Sequence, residues 1–241
     1  MRSLSAAELL TIWEQGSGQP NRHRALLLLA AACPQTSWQQ LAQLSLGQRD
    51  AQLLSLREQI MGSEIVSVAT CPHCGDRLEL TLMTDDIRLS AADLPLAVAV
   101  AGYQVQFRLP NSEDLAAIAD QPDLAIATQH LFQRCLLSVK QLSQPIEAAE
   151  LPAAVITAIL TQMEQADPQA DIRLALDCPT CQHQWQVAFD VVTFFWAELN
   201  ALAQRLLQEV HLLASAYGWH EADILALSPQ RRQIYLEMIY G

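Results

Sequence analysis

Two short stretches constrain this chain more than anything else in it: Cys71-Pro72-His73-Cys74 and Cys178-Pro179-Thr180-Cys181. Each is a C-P-x-C turn between two strand-like runs. Two thiolates at this spacing can hold one side of a tetrahedral zinc, and two such pairs complete a four-thiolate shell. The flanks correspond as well. Glu64-Ile65 precedes the first pair as Asp171-Ile172 precedes the second, and Leu78, Leu80 and Leu82 answer to Trp185, Val187 and Phe189. These apolar positions alternate with polar ones, which is the period of a half-buried strand. The pattern predicts two strand–knuckle–strand hairpins facing each other across one structural Zn2+, with Cys71, Cys74, Cys178 and Cys181 as ligands.

Residues 75 to 177, 103 of them, separate the pairs, whereas a compact ribbon uses about 15–20. A whole subdomain is therefore inserted into the ribbon. A redox dithiol, a disulfide pair and two unrelated turns are the alternatives, and the matched copies favour zinc. Four thiolates leave no open position for water, so the metal would be structural rather than catalytic.

Helical patterns surround the knuckles. Ser5-Ala6-Ala7-Glu8 is a capping box opening a helix to Gln15. Further helices are expected over 22–33, 37–44 and 46–61, the last stopped by Gly62, with Arg49 and Arg57 on its exposed side. Between the knuckles come a hairpin around Ala101-Gly102, a short helix over 115–120 and a longer one over 123–139. Leu124, Ala127, Leu131 and Cys135 form the longer helix's stripe. A loop through Pro145 and a helix over 152–166 follow. In the tail, Phe195, Leu199, Leu202, Leu206, Val210, Leu213 and Tyr217 make one apolar stripe, expected to pack on the zinc core. Gly218 caps that helix, a short helix spans 220–227, and Ser228-Pro229 opens a last one ending near Tyr240.

The resulting fold class is α+β and mainly α-helical. A split zinc ribbon of two CPxC β-hairpins (63–90 and 171–192) brackets an inserted hairpin-plus-helices subdomain (91–170). Helical N-terminal (1–62) and C-terminal (193–241) regions complete it.

Charge and missing motifs narrow the function. With 14 basic against 26 acidic residues the net charge is −12, a poor basis for binding phosphate backbones. The longest apolar run, Ala25 to Cys33, is far shorter than the roughly 20 residues of a spanning helix, so no direct membrane insertion is expected. No secretory signal is recognisable, and the chain is expected in the cytoplasm, where CxxC pairs read as metal sites. The 8 glycines do not cluster into a phosphate-cradling loop. There is no G-x-S-x-G elbow or H-E-x-x-H helix either, so neither an enzyme nor a small-molecule substrate is expected. His73 and His183 beside the knuckles read as solvent-facing, and Cys33 and Cys135 as small buried hydrophobes. The tail concentrates aromatics near Arg231-Arg232, a composition that anchors interfaces. Trp219, Arg231, Arg232, Tyr235 and Tyr240 are therefore candidate partner-binding residues. Removing everything after Gly218 should then leave a folded protein.

Several stretches together resemble a known family. They are Leu46-Gly47-Gln48-Arg49-Asp50-Ala51, the two knuckles, Phe107-Arg108-Leu109-Pro110, Arg134-Cys135, Asp167-Pro168-Gln169-Ala170-Asp171 and Phe194-Phe195-Trp196-Ala197-Glu198. Ala216-Tyr217-Gly218-Trp219, Ile224-Leu225-Ala226-Leu227-Ser228, Arg231-Arg232 and Tyr235-Leu236 continue the match. The chain resembles the T4-type phage baseplate protein family, as found in contractile injection system (phage-tail-like particle) gene clusters. Gln182 departs from the first knuckle, which has Gly75 there. The resemblance implies a non-enzymatic structural or assembly part, with other baseplate or hub subunits as partners, assembled into or onto the particle. The alternative is a zinc-ribbon adaptor binding nucleic acid or a transcription complex.

Overall fold

A computed structural model of the chain describes residues 1–91, 94–142 and 144–240, with the side chain of Tyr240 outside the described part. The architecture is α+β, mostly helix with small antiparallel sheets. The chain divides into two compact units, one of Met1–Thr36 with Val191–Gly241, the other of Ser37–Asp190.

The first unit is helical: α1 (Ala6–Gly16), α2 (Asn21–Ala32), α8 (Val191–Tyr217), α9 (Glu221–Ala226) and α10 (Pro229–Tyr240). Ser5 caps α1 in the expected box, its Oγ accepting from the Glu8 amide while the Ser5 amide donates to the Glu8 carboxylate. The 27-residue α8 buries Phe195, Leu199, Leu206, Val210 and Leu213 of the expected stripe. Leu206, Val210 and Leu213 of that stripe pack with Leu10 of α1, Ile224 and Leu225 of α9 and Leu236 of α10, all of the same unit. The segment after Gly218 is thus core on its inner face, and the expectation that it is dispensable for folding is corrected. Gly16 lies under Trp196, where an added Cβ would come within 2.1 Å of the indole. Arg24 lies over the same ring at 4.6 Å from its centroid.

The second unit begins with α3 (Trp38–Ala42) and α4 (Leu46–Met61), followed by the hairpin β1 (Glu64–Thr70) and β2 (Arg77–Met83). A four-stranded antiparallel sheet runs in the order β3 (Ala97–Val100), β4 (Tyr103–Phe107), β5 (Leu136–Gln141), β6 (Gln144–Pro145). Helices α5 (Ser112–Ile118) and α6 (Leu124–Cys135) connect β4 to β5, α7 (Ala153–Ala166) follows β6, and the hairpin β7 (Arg173–Asp177) and β8 (Gln184–Ala188) ends the unit. Ala101 and Gly102 both take positive φ, 50° and 81°, the backbone of a two-residue turn matched to strand twist. Val105, Phe107 and Val139 of the sheet pack on Leu151, Val155 and Ile159.

Four sequence expectations change here. The helix expected over 123–139 stops at Cys135, and Leu136–Gln141 becomes strand, because β4 offers an antiparallel partner along that length. Leu124, placed on one stripe with Ala127, Leu131 and Cys135, is 81% exposed, whereas Ala127 and Cys135 are buried. The loop at Pro145 is a short edge strand instead. Finally, Arg49 and Arg57 are interior. Arg49 donates through Nε to Asp50 at 2.7 Å. Arg57 donates to the carbonyls of Gly62 at 2.7 Å and Glu64 at 2.6 Å, tying the end of α4 to the start of β1. Gly62 is the C-cap of α4, and a helix C-terminus favours a cation beside it.

Candidate metal centre

The two cysteine hairpins share one construction. Strand pairing runs up to Thr70↔Arg77 in the first and Asp177↔Gln184 in the second, leaving residues 71–76 and 178–183 as the turns. In the first turn the Cys71 amide donates to the Asp76 carbonyl (2.8 Å) and the Gly75 amide to the Cys71 carbonyl (2.9 Å). In the second, the Cys178 amide donates to the His183 carbonyl (3.0 Å) and the Gln182 amide to the Cys178 carbonyl (2.8 Å). Gly75 has φ +77° and Gln182 φ +59°. Gln182 therefore adopts the left-handed backbone that glycine favours, and the departure noted in the sequence leaves the turn intact.

The turns meet as though related by a two-fold axis. Cys71 Sγ lies 3.7 Å from Cys181 Sγ, and Cys74 Sγ lies 3.6 Å from Cys178 Sγ. His73, third in its turn, stacks on His183, sixth in the other, with ring centroids 5.5 Å apart. Thr180, third in the second turn, donates its hydroxyl to the carboxylate of Asp76, sixth in the first. First meets fourth and third meets sixth, in both directions. His73 is exposed as expected, whereas His183 is half-buried between His73 and Trp185.

All four sulfurs lie within 4.8 Å of one another. Thiolates at about 2.3 Å from a tetrahedral zinc stand about 3.8 Å apart, and the two cross-turn distances fit such edges. They are far from the roughly 2.05 Å of a disulfide. The electrostatics also call for a cation. Burial works to raise the Cys71 thiol, but the amides of Cys74 and His73 and the nearby thiols outweigh it and hold it at about 7. At Cys74 the amide of Asp76 works to lower the thiol, yet burial and the three facing sulfurs push it up to about 12. One thiolate among these sulfurs makes the next one costly, and a divalent ion removes that conflict. The donor set is all sulfur and closed, which suits structural zinc.

The tail candidates differ among themselves. Trp219 and Tyr235 join Tyr217 in an aromatic trio, with Trp219 and Tyr235 edge to face at 4.9 Å. Arg231 is exposed. Arg232 is internal at 4% exposure, donating to Glu209 and to the Leu227 carbonyl, each at 2.7 Å. Tyr240 belongs to α10, and its side chain lies outside the described residues.

One buried cluster escaped the sequence reading. The Asp114 carboxylate is fully buried, accepting from Arg108 (2.8 Å), from Arg134 (2.8 Å) and from the Asn111 amide (3.1 Å). Both arginines lie in stretches that carry the family resemblance, which was the available signal. Nothing in the spacing marked the acid joining them.

The model of one family, described as T4 bacteriophage base plate protein, matches residues 4–196. No curated protein and no solved structure matches the chain.

Proposed function

The chain belongs to the T4 bacteriophage base plate protein family, and on that premise we propose a specific role for this structural baseplate component. It is a non-enzymatic structural or assembly subunit of the baseplate of a contractile phage-tail-like injection system, stabilised by one structural zinc. The carrying observation is the gathering of Cys71, Cys74, Cys178 and Cys181 by two matched turns within a chain the family model covers over 4–196. In this reading the hairpins at 63–90 and 171–192 form a split ribbon, and the ion cross-links the two ends of the 91–170 insertion. The zinc supplies folding energy and no reaction chemistry.

The partners are other baseplate or hub subunits. Trp219, Arg231, Tyr235 and Tyr240 form the contact region, with Arg232 supporting it from inside. Ile234 (45%) and Met238 (64%) add exposed apolar surface on α10. A net charge of −12 supports a protein partner over nucleic acid. Among the described residues no helix is long and apolar enough to cross a membrane. The test is to delete the gene from a cluster that yields intact particles. Loss of baseplates, restored by the wild-type chain, supports the role, and normal particles without the protein refute it.

A further inference from the structure

The second unit carries an apolar groove of about 420 Å³ that none of the four clustered cysteines lines. Leu131 and Phe132 of α6, Leu160 and Met163 of α7, and Leu109 from the stretch linking β4 to α5 line it. Leu160 is 43% exposed, so the apolar surface opens to solvent instead of being sealed as core.

The charge of the lining is one-sided. Its ionisable side chains, the Cys135 thiol apart, are Glu164, Asp167 and Asp171, with no lysine or arginine. Asp167 accepts from the Gly47 amide at 3.0 Å, and Asp171 accepts from Arg173 at 2.9 Å. Glu164 has no hydrogen-bond or ion-pair partner among the described residues. It also stands in the last turn of α7, which carries no basic residue. A carboxylate at a helix C-terminus adds negative charge to the negative end of the helix dipole, and a cation there is favoured instead. Leu160 and Glu164 are four residues apart, so they share one face of α7.

We propose that this groove docks an apolar segment of another polypeptide, with a lysine or arginine of that segment placed against Glu164. The apolar walls take the segment's hydrophobic side chains. The basic group supplies the charge that the end of α7 lacks, which also fixes the direction in which the segment lies. None of the groove's lining residues is one of the four clustered cysteines or belongs to the tail.

The test uses the full-length protein and two labelled synthetic amphipathic helices, one of leucine and lysine and one of leucine and glutamate, followed by fluorescence polarisation. The leucine–lysine peptide should bind and the leucine–glutamate peptide should bind at least tenfold more weakly. Glu164→Lys should reverse that preference, and Leu160→Gln should weaken both peptides. Glu14→Lys, an equal charge change at an exposed site in the other unit, should leave binding within twofold. The proposal is overturned if neither peptide binds, if Glu14→Lys acts as strongly as Glu164→Lys, or if Leu160→Gln has no effect while the variant stays folded by circular dichroism.

Discussion

The backbone amide of Gly47 donates to Asp167 Oδ2 at 3.0 Å, joining residues 120 positions apart. Gly47 is in the first turn of α4, where amides have no partner within the helix and a carboxylate is well placed. The approach is so close that a Cβ on Gly47 would lie 1.9 Å from Asp167 Oδ1 and 3.0 Å from the Ala170 amide nitrogen. Gly47→Ala must displace the acid and a backbone segment. Equilibrium urea unfolding should show a loss of about 2–4 kcal/mol, combining overpacking with a broken buried hydrogen bond. Asp167→Asn keeps an oxygen acceptor and should cost about 1 kcal/mol. Equal losses for the two changes would mean that the close approach does not matter.

Such long-range fits mark the limit of what the sequence showed. The knuckles were legible because their information is local. The CPxC spacing, the alternation through Leu78, Leu80 and Leu82, and the positive-φ turn at Ala101-Gly102 each act within a few residues. Helix starts at Ser5 and stops at Gly62 and Gly218 were legible for the same reason. The strand Leu136–Gln141 was not, since an apolar run after a helix can continue it until a neighbouring strand supplies hydrogen bonds. Arg57 was placed outside because helical period cannot reveal that two carbonyls wait for it inside. Asp114 needed Arg108 and Arg134 brought together before its role could be seen.

Asp114 gives a pH-dependent prediction. Burial works to raise its carboxyl, but Arg108, the Asn111 amide and Arg134 outweigh burial and lower it below the usual 3.8. A carboxyl lowered by folding binds its proton less readily in the native state. Its stabilising contribution is therefore complete above the unfolded-state value, near 4, and is lost as pH falls through the lower folded value. Asp114→Asn should cost about 2–3 kcal/mol at neutral pH, less than a sealed pair would because both arginines are partly exposed. The gap between wild type and variant should stay flat from about pH 5 to 8 and shrink below about pH 4. A gap that widens on acidification would contradict the assignment.

The metal site predicts a pattern of thiol reactivity. Native mass spectrometry should find one zinc per chain, and binding should release protons because the thiols must ionise. Iodoacetamide near pH 7.5 should add more carbamidomethyl groups per chain after strong chelation than before, with Cys71 modified first because its thiol lies at about 7. Cys135 should stay unmodified in both states while the protein is folded, since burial first and Asp114 second push its thiol up to about 11. Cys178→Ser should lose the metal and loosen both hairpins together, seen as faster amide exchange at Ile65 as well as at Leu176. Equal alkylation with and without chelator would rule out a four-thiolate site.

Arg231 and Arg232 adjoin in sequence but should fail in different ways. Arg232 is buried against Glu209, whose side chain is itself only 18% exposed. Arg232→Met leaves that carboxylate without its partner and also frees the Leu227 carbonyl, so a loss of about 3 kcal/mol is expected. Arg231 is exposed, and Arg231→Glu should change stability by no more than about 0.5 kcal/mol. Its effect should appear in particle assembly, as a severalfold drop in the subunit recovered with purified baseplates. Truncation after Gly218 cannot make this distinction, because it removes Ile224, Leu225 and Leu236 from the core of the helical unit and should unfold that unit. Wild-type recovery of Arg231→Glu in particles, with stability intact, would remove Arg231 from the docking surface and leave the aromatic trio of Tyr217, Trp219 and Tyr235 to be tested alone.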